Sequence, residues 1–114
     1  MKTWDEVYEA IDSFALLDEN WDGYGSGHLP KEFIEKCKPI VKQLEFMEPP
    51  HACPYPGGFQ IEWHLNNCYL EVSFDEHANL ILFLKHTKSS DKFVTRKSTF
   101  ENFDLEKVKL HFPA

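Results

Sequence analysis

The spacing of apolar residues changes midway along this chain, and the change fixes the order of its main elements. Up to Leu44 apolar positions recur every third or fourth residue, and from Phe59 they recur every second. Side chains three or four apart share a helix face, whereas side chains two apart share a strand face. Helices therefore come first and strands second, which predicts an α+β fold. The 114 residues supply one core, so a single α+β domain over 1–114 is expected.

Thr3 with Glu6 three residues on forms a capping box, and Trp4, Val7, Tyr8, Ile11, Phe14 and Ala15 make one helical stripe. Asp18 to Leu29 holds three of the five glycines and has no period, so it reads as a loop. Pro30 suits the first turn of a second helix, whose stripe is Phe33, Ile34, Cys37, Ile40, Val41 and Leu44. Pro39 falls inside that helix and lacks an N–H, which predicts a kink or a break. Met47 to Gly58, with Pro49, Pro50, Pro54 and Pro56, reads as an extended connection without regular structure.

Phe59, Ile61 and Trp63 then alternate with Gln60, Glu62 and His64, and Cys68, Leu70, Val72 and Phe74 alternate with Tyr69, Glu71 and Ser73. Leu80–Leu84 is apolar throughout and reads as a central or covered strand. Lys92–Lys97 is a candidate fourth strand, and Asp104 a candidate cap for a short C-terminal helix carrying Leu105 and Val108. The expected architecture is two N-terminal helices packed on a three- or four-stranded antiparallel meander, closed by that short helix.

No apolar run approaches the roughly 20 residues of a membrane helix, and no apolar h-region follows Met1, so neither a membrane nor a secreted protein is expected. Three scattered cysteines, Cys37, Cys53 and Cys68, do not make a disulfide framework and suit a reducing cytoplasm. The net charge of −7 is uneven: residues 1–29 carry seven acids against Lys2, a balance of −6. Such a surface repels nucleic acid and membranes and attracts a basic protein partner. Glu9 and Asp12 lie off the apolar stripe of the first helix and are candidate contacts for that partner. The simpler account of the charge is that it keeps a small domain soluble, since magnitudes of about 2–8 are ordinary for such domains.

Asp18-Glu19-Asn20-Trp21-Asp22-Gly23 matches the first half of a calcium loop, but Leu29 stands at its twelfth position, where a bidentate carboxylate is required. No metal and no cofactor is therefore expected. Capping side chains, with Trp21 anchoring the loop, explain the segment without a cation. The histidines and cysteines, His51 with Cys53 and His64 with Cys68 included, lack zinc spacing. Glu62 and Glu71 are expected on one sheet face, where paired carboxylates suit acid–base work and also occur on any solvated strand face. Residues 59–84 contain no Lys or Arg, which argues against an RNA-binding sheet.

Asn20-Trp21-Asp22-Gly23-Tyr24-Gly25, Pro30 opening a helix, and Pro54-x-Pro56-Gly57-Gly58-x-x-Ile61-Glu62-Trp63 together resemble a pattern of small uncharacterised bacterial proteins. The resemblance covers roughly residues 15–86 and implies no established activity. It marks the loop residues Trp21, Asp22 and Tyr24 and the strand residues Glu62 and Trp63 as candidate binding residues. Such proteins are often associated with mobile elements or defence, which implies a compact acidic binder, an inhibitor or antitoxin-like protein. The favoured expectation is thus a non-enzymatic protein-binding module. The alternative is a small enzyme or ligand-binding protein with its site between the Trp21 loop and the sheet face carrying Glu62 and His64. The sequence leaves the oligomeric state open.

Overall fold

A computed structural model of the chain describes residues 3–18, 21, 23, 29–65, 68–86 and 93–109. Two helices, α1 (Trp4–Phe14) and α2 (Lys31–Gln43), precede five strands, β1 (His51–Tyr55), β2 (Gly58–His64), β3 (Cys68–Asp75), β4 (Asn79–His86) and β5 (Phe93–Thr99). A short helix, α3 (Leu105–Lys109), follows. The strands form one antiparallel sheet in the order β1-β2-β3-β4-β5, a meander with no crossover.

The starts of α1 and α3 follow the expected chemistry, whereas Pro30 stands in extended conformation at the N-cap of α2, one residue before its first turn. The Thr3 side chain accepts the Glu6 amide at 3.1 Å, and the Asp104 carboxylate accepts the amides of Glu106 at 3.0 Å and Lys107 at 3.4 Å. Val7, Ile11 and Phe14 of α1 are buried, as are Phe33, Ile34, Cys37, Ile40 and Val41 of α2. Both helices lie on the inner face of the sheet, against Phe59, Ile61, Trp63, Leu70, Val72 and Phe74. An aromatic chain ties the layers together: Phe59 meets Phe14 at 5.8 Å, Phe33 at 5.9 Å and Phe74 at 4.9 Å between ring centroids. Each such contact adds about 0.5–1.5 kcal/mol beyond the area it buries.

Two expectations are corrected. The proline-rich connection is not irregular, since His51–Tyr55 forms β1, and the sheet has five strands rather than three or four. β1 is an edge strand that pairs with β2 alone, and an edge has one side without a ladder, where Pro54 and its missing N–H are tolerated. The neighbouring Pro56-Gly57 pair makes the hairpin turn, with Gly57 at φ 87°, as a type II turn requires. Pro39 does not break α2, which runs unbroken from Lys31 to Gln43. Glu35, whose carbonyl loses its helical donor, and Pro39 itself both lie on the exposed side of α2, where an unpaired carbonyl costs least.

Strand β4 is central, flanked by β3 and β5, but covered on one face only. Leu80, Leu82 and Leu84 are buried, whereas Ile81 is 36% exposed and Phe83 is half-buried on the opposite face. The β3–β4 turn is built on Asp75, whose carboxylate accepts the amides of His77 at 2.9 Å and Asn79 at 3.0 Å while Ala78 takes φ 61°.

Candidate functional site

The antiparallel register decides which polar residues meet. Glu62 of β2 stands directly opposite Glu71 of β3, which in turn faces Phe83 of β4. Gln60, Ser73, Ile81 and Lys97 form the next row, and His64, Tyr69 and Lys85 form the row on the other side. These residues share the outer face of the sheet, the one turned away from α1 and α2.

Around Glu62 the donors converge. The Tyr69 hydroxyl donates to one carboxylate oxygen at 2.7 Å, Gln60 Nε2 donates to the same oxygen at 3.2 Å, and His64 Nε2 lies 3.4 Å from the other oxygen. The Tyr69 ring sits 5.0 Å from the His64 ring and 6.3 Å from the Phe83 ring. Burial pushes the Glu62 carboxyl towards its neutral form, but the bonds from Tyr69, His64 and Gln60 outweigh it and hold the pKa below the ordinary 4.5. Glu71 is shifted the other way, by burial first and then by the charge of Glu62. The two carboxylates thus form an unequal pair, one fixed as an anion and the other held above its ordinary range. Burial, then the hydrogen bond to Glu62, raises the Tyr69 hydroxyl, which therefore stays a donor.

The pair is costly to the fold. Facing residues on neighbouring strands have Cβ atoms about 4.5–5.5 Å apart, and like charges there destabilise by roughly 0.2–1 kcal/mol. Among the described residues no Lys or Arg forms a salt bridge with either glutamate.

The remaining expected site residues fall elsewhere. Trp63 belongs to the core: it is 2% exposed, and its Nε1 donates to the Glu48 carbonyl at 2.6 Å. It therefore points away from Glu62, on the opposite face of β2. Trp21 is half-buried and Gly23 takes φ 79°, while Asp22 and Tyr24 lie outside the described residues. Leu29 is buried at 1% exposure, directed into the core rather than towards a cation in the loop. His64 and Cys68 are separated, His64 being exposed on the outer face and Cys68 buried on the inner one.

Glu9 and Asp12 are exposed on α1 and line a groove of about 570 Å³ between α1 and α2, with Leu16, Ile34, Lys31 and Lys38. Lys38 Nζ pairs with Asp12 at 2.5 Å and with Glu35 at 3.1 Å, so α2 neutralises part of the acidity that the sequence concentrates in α1. The sheet site adds residues not singled out from the sequence: Tyr69, Gln60 and Lys97. The alternation already placed Tyr69 on the face of Glu71, but which residue stands opposite which depends on turn lengths.

Compared with protein-family models, with curated proteins and with solved structures, the chain shows no match. No helix among the described residues is long and apolar enough to cross a membrane.

Proposed function

We propose that this chain is a small acidic protein-binding module whose outer sheet face receives a cationic side chain of a partner protein. The observation that carries this reading is the facing pair Glu62–Glu71, half-buried and, among the described residues, paired with no Lys or Arg, the exposed His64 imidazole 3.4 Å from Glu62 being its one ion-pair contact there. A fold that retains a repulsive pair on an otherwise well-packed sheet gains most from a ligand that removes the repulsion. Glu62 is already oriented by Tyr69 and Gln60, so little ordering entropy opposes capture of a guanidinium or ammonium group. The rings of Tyr69 and Phe83 supply faces against which such a cation packs.

The partner is therefore still one with a basic surface, but the sheet rather than α1 supplies the principal contacts. Stoichiometric binding of this kind is what an inhibitor or antitoxin-like protein does, the role that the sequence resemblance implies. A cytoplasmic setting agrees with three free cysteines.

The test is an amide-resolved titration of the full chain with a short Arg/Lys-containing peptide and with its Ala-substituted counterpart. The expected result is movement of the Gln60, Glu62, Tyr69 and Glu71 signals by the basic peptide only, lost in the Glu62→Gln/Glu71→Gln double variant. Signals that move only along α1 would transfer the interface to Glu9 and Asp12, and movement that persists in the double variant would refute the role of the pair.

The unequal carboxylates favour one second reading, acid–base chemistry with Glu71, raised by burial and by Glu62, as the weaker acid and Glu62 as the stronger. That reading requires a substrate held over an open face bordered by exposed His64 and Ile81. Binding requires only the geometry already present.

A further inference from the structure

The outer face is divided by charge. Its β2–β3 half carries Glu62 and Glu71, its β4–β5 half carries Lys85 and Lys97, both exposed, and Ile81 and Phe83 of β4 run between them. Among the described residues neither lysine forms a salt bridge. A surface of this kind is complementary to itself under a two-fold rotation.

We infer that the outer sheet face also pairs with a second copy of this chain, face to face, so that the lysines of each copy meet the Glu62–Glu71 pair of the other. This rests on the reading of that pair as a cation acceptor and names a partner for it. A two-fold axis parallel to the strands and lying between β3 and β4 sets β2 over β5 of the second copy and β3 over its β4. Glu62 then lies over Thr95 of the second copy, two residues along the strand from its Lys97, and Glu71 lies over Phe83, two residues from its Lys85. Two residues of strand span about 6.6 Å, within the reach of a lysine side chain. The contact is isologous, each charge contact occurring twice, and it closes on itself without leaving a surface for further growth. A rotation that set β2 over β2 instead would bring glutamate against glutamate.

The area is consistent with a reversible dimer. The four strands that overlap, β2 to β5, spaced about 4.8 Å apart and about seven residues long, give roughly 450 Å² of plane area per copy, somewhat more with side-chain relief. That is below the ~800 Å² per partner of a standard stable interface, so dissociation at micromolar concentrations or higher is expected. Because the dimer and the partner complex use the same carboxylates, the dimer is a self-masked form that a basic partner must displace.

The experiment is sedimentation velocity on the full chain over a range from micromolar to millimolar, in low and in high salt. Two charge-reversed forms accompany it, Glu62→Lys/Glu71→Lys and Lys85→Glu/Lys97→Glu. We expect the native chain to dimerise as concentration rises, salt to weaken the dimer, and each reversed form to dimerise at least about tenfold more weakly. An equimolar mixture of the two reversed forms is expected to restore a one-to-one complex, since one face is then wholly basic and the other wholly acidic. Their circular dichroism and thermal midpoints confirm that both fold. A native chain that stays monomeric at millimolar concentration overturns the inference, as does a dimer unchanged in both reversed forms or a mixture that fails to associate. The peptide titration separates this from the binding reading. Peptide bound at Glu62 and Glu71 by the Lys85→Glu/Lys97→Glu form, beside a monomeric native chain, refutes the dimer and leaves the binding function intact. A dimer disrupted by the reversals, with no peptide bound by that monomeric form, refutes the general cation site instead.

Discussion

Replacing Glu71 by Gln should make the isolated chain more stable at neutral pH, an unusual direction for a half-buried residue. Gln keeps the size and polarity of the side chain and removes one of two facing charges. At about 5 Å the bare repulsion amounts to ~0.8 kcal/mol in water and ~3 kcal/mol at an effective dielectric constant of 20. Measured cross-strand effects of roughly 0.2–1 kcal/mol, together with the donors that already stabilise Glu62, place the expected gain at about 0.5–1 kcal/mol. Its pH dependence follows from the shift. Burial, then Glu62, raises the Glu71 pKa above 4.5 in the folded state, so the folded chain holds that proton more tightly than the unfolded one. The stability it contributes is full below the unfolded value and is lost as pH rises through the raised one. The gain from Gln should therefore be present at pH 7 and absent below the ordinary carboxylate range. Glu62→Gln should behave oppositely. Its lowered pKa marks stability present above 4.5 and lost as pH falls through the folded value, so this variant should lose about 1–2 kcal/mol at pH 7. Urea unfolding at pH 7 and at pH 3.5, with unchanged m-values, measures both. A loss of stability in Glu71→Gln at pH 7, or an equal gain at both pH values, would show that the facing carboxylates do not repel and would remove the basis for a cation-receiving site.

Gly58→Ala should destabilise by about 3 kcal/mol or more in the same assay, because a Cβ there would lie 1.9 Å from the Phe74 carbonyl oxygen and 2.9 Å from the Tyr55 hydroxyl. A loss below ~1 kcal/mol would mean that the β2–β3 register yields easily. Trp63→Phe should cost about 2 kcal/mol, through lost volume and the orphaned Glu48 carbonyl, without altering peptide binding, since the ring lies on the inner face. Altered binding at unchanged stability would return Trp63 to the site. An aromatic disulfide reagent should modify Cys53 of the native chain before Cys37 and Cys68, which are buried; equal rates for all three would indicate global opening.

The order of elements was legible because burial on one side imposes a period on the residues that supply it. Both helical stripes, the alternation of β2 and β3 and the cap at Asp104 all express that constraint. Strand β1 was not, because its evidence lies outside local preference. Two prolines in seven residues weigh against a strand, yet pairing with β2 needs donors and acceptors on one side only, and Ala52 still reaches the core. Glu62 was legible as a polar residue on the face away from Ile61 and Trp63, but not its partners. That Tyr69, rather than a residue two further along, reaches its carboxylate depends on the register set by the β2–β3 turn.

The charge distribution shows the same dependence on tertiary placement, with a consequence for any salt effect on binding. In sequence the acids of residues 1–29 form one block, but in the fold α1 lies beside α2, whose Lys31, Lys36, Lys38 and Lys42 outnumber its Glu32 and Glu35. Asp12 is paired with Lys38, which Glu35 also holds, so reversal of Asp12 would break a local contact as well as change the field. Exposed pairs of this kind are worth only about 0–1 kcal/mol and are screened within about 8 Å at physiological ionic strength. A long-range pull on a basic partner therefore comes from the net −7 as a whole, whereas discrimination at contact comes from carboxylates that are partly buried and already oriented. Among the described residues of the outer face, Glu62 and Glu71 are the half-buried carboxylates that stand opposite each other, and Glu62 is held by Tyr69 and Gln60, whereas the Asp75 carboxylate is taken up by the amides of its own turn. Salt should accordingly slow association for every acidic variant alike, while the dissociation rate should respond to substitutions at the sheet pair and not to those at Glu9.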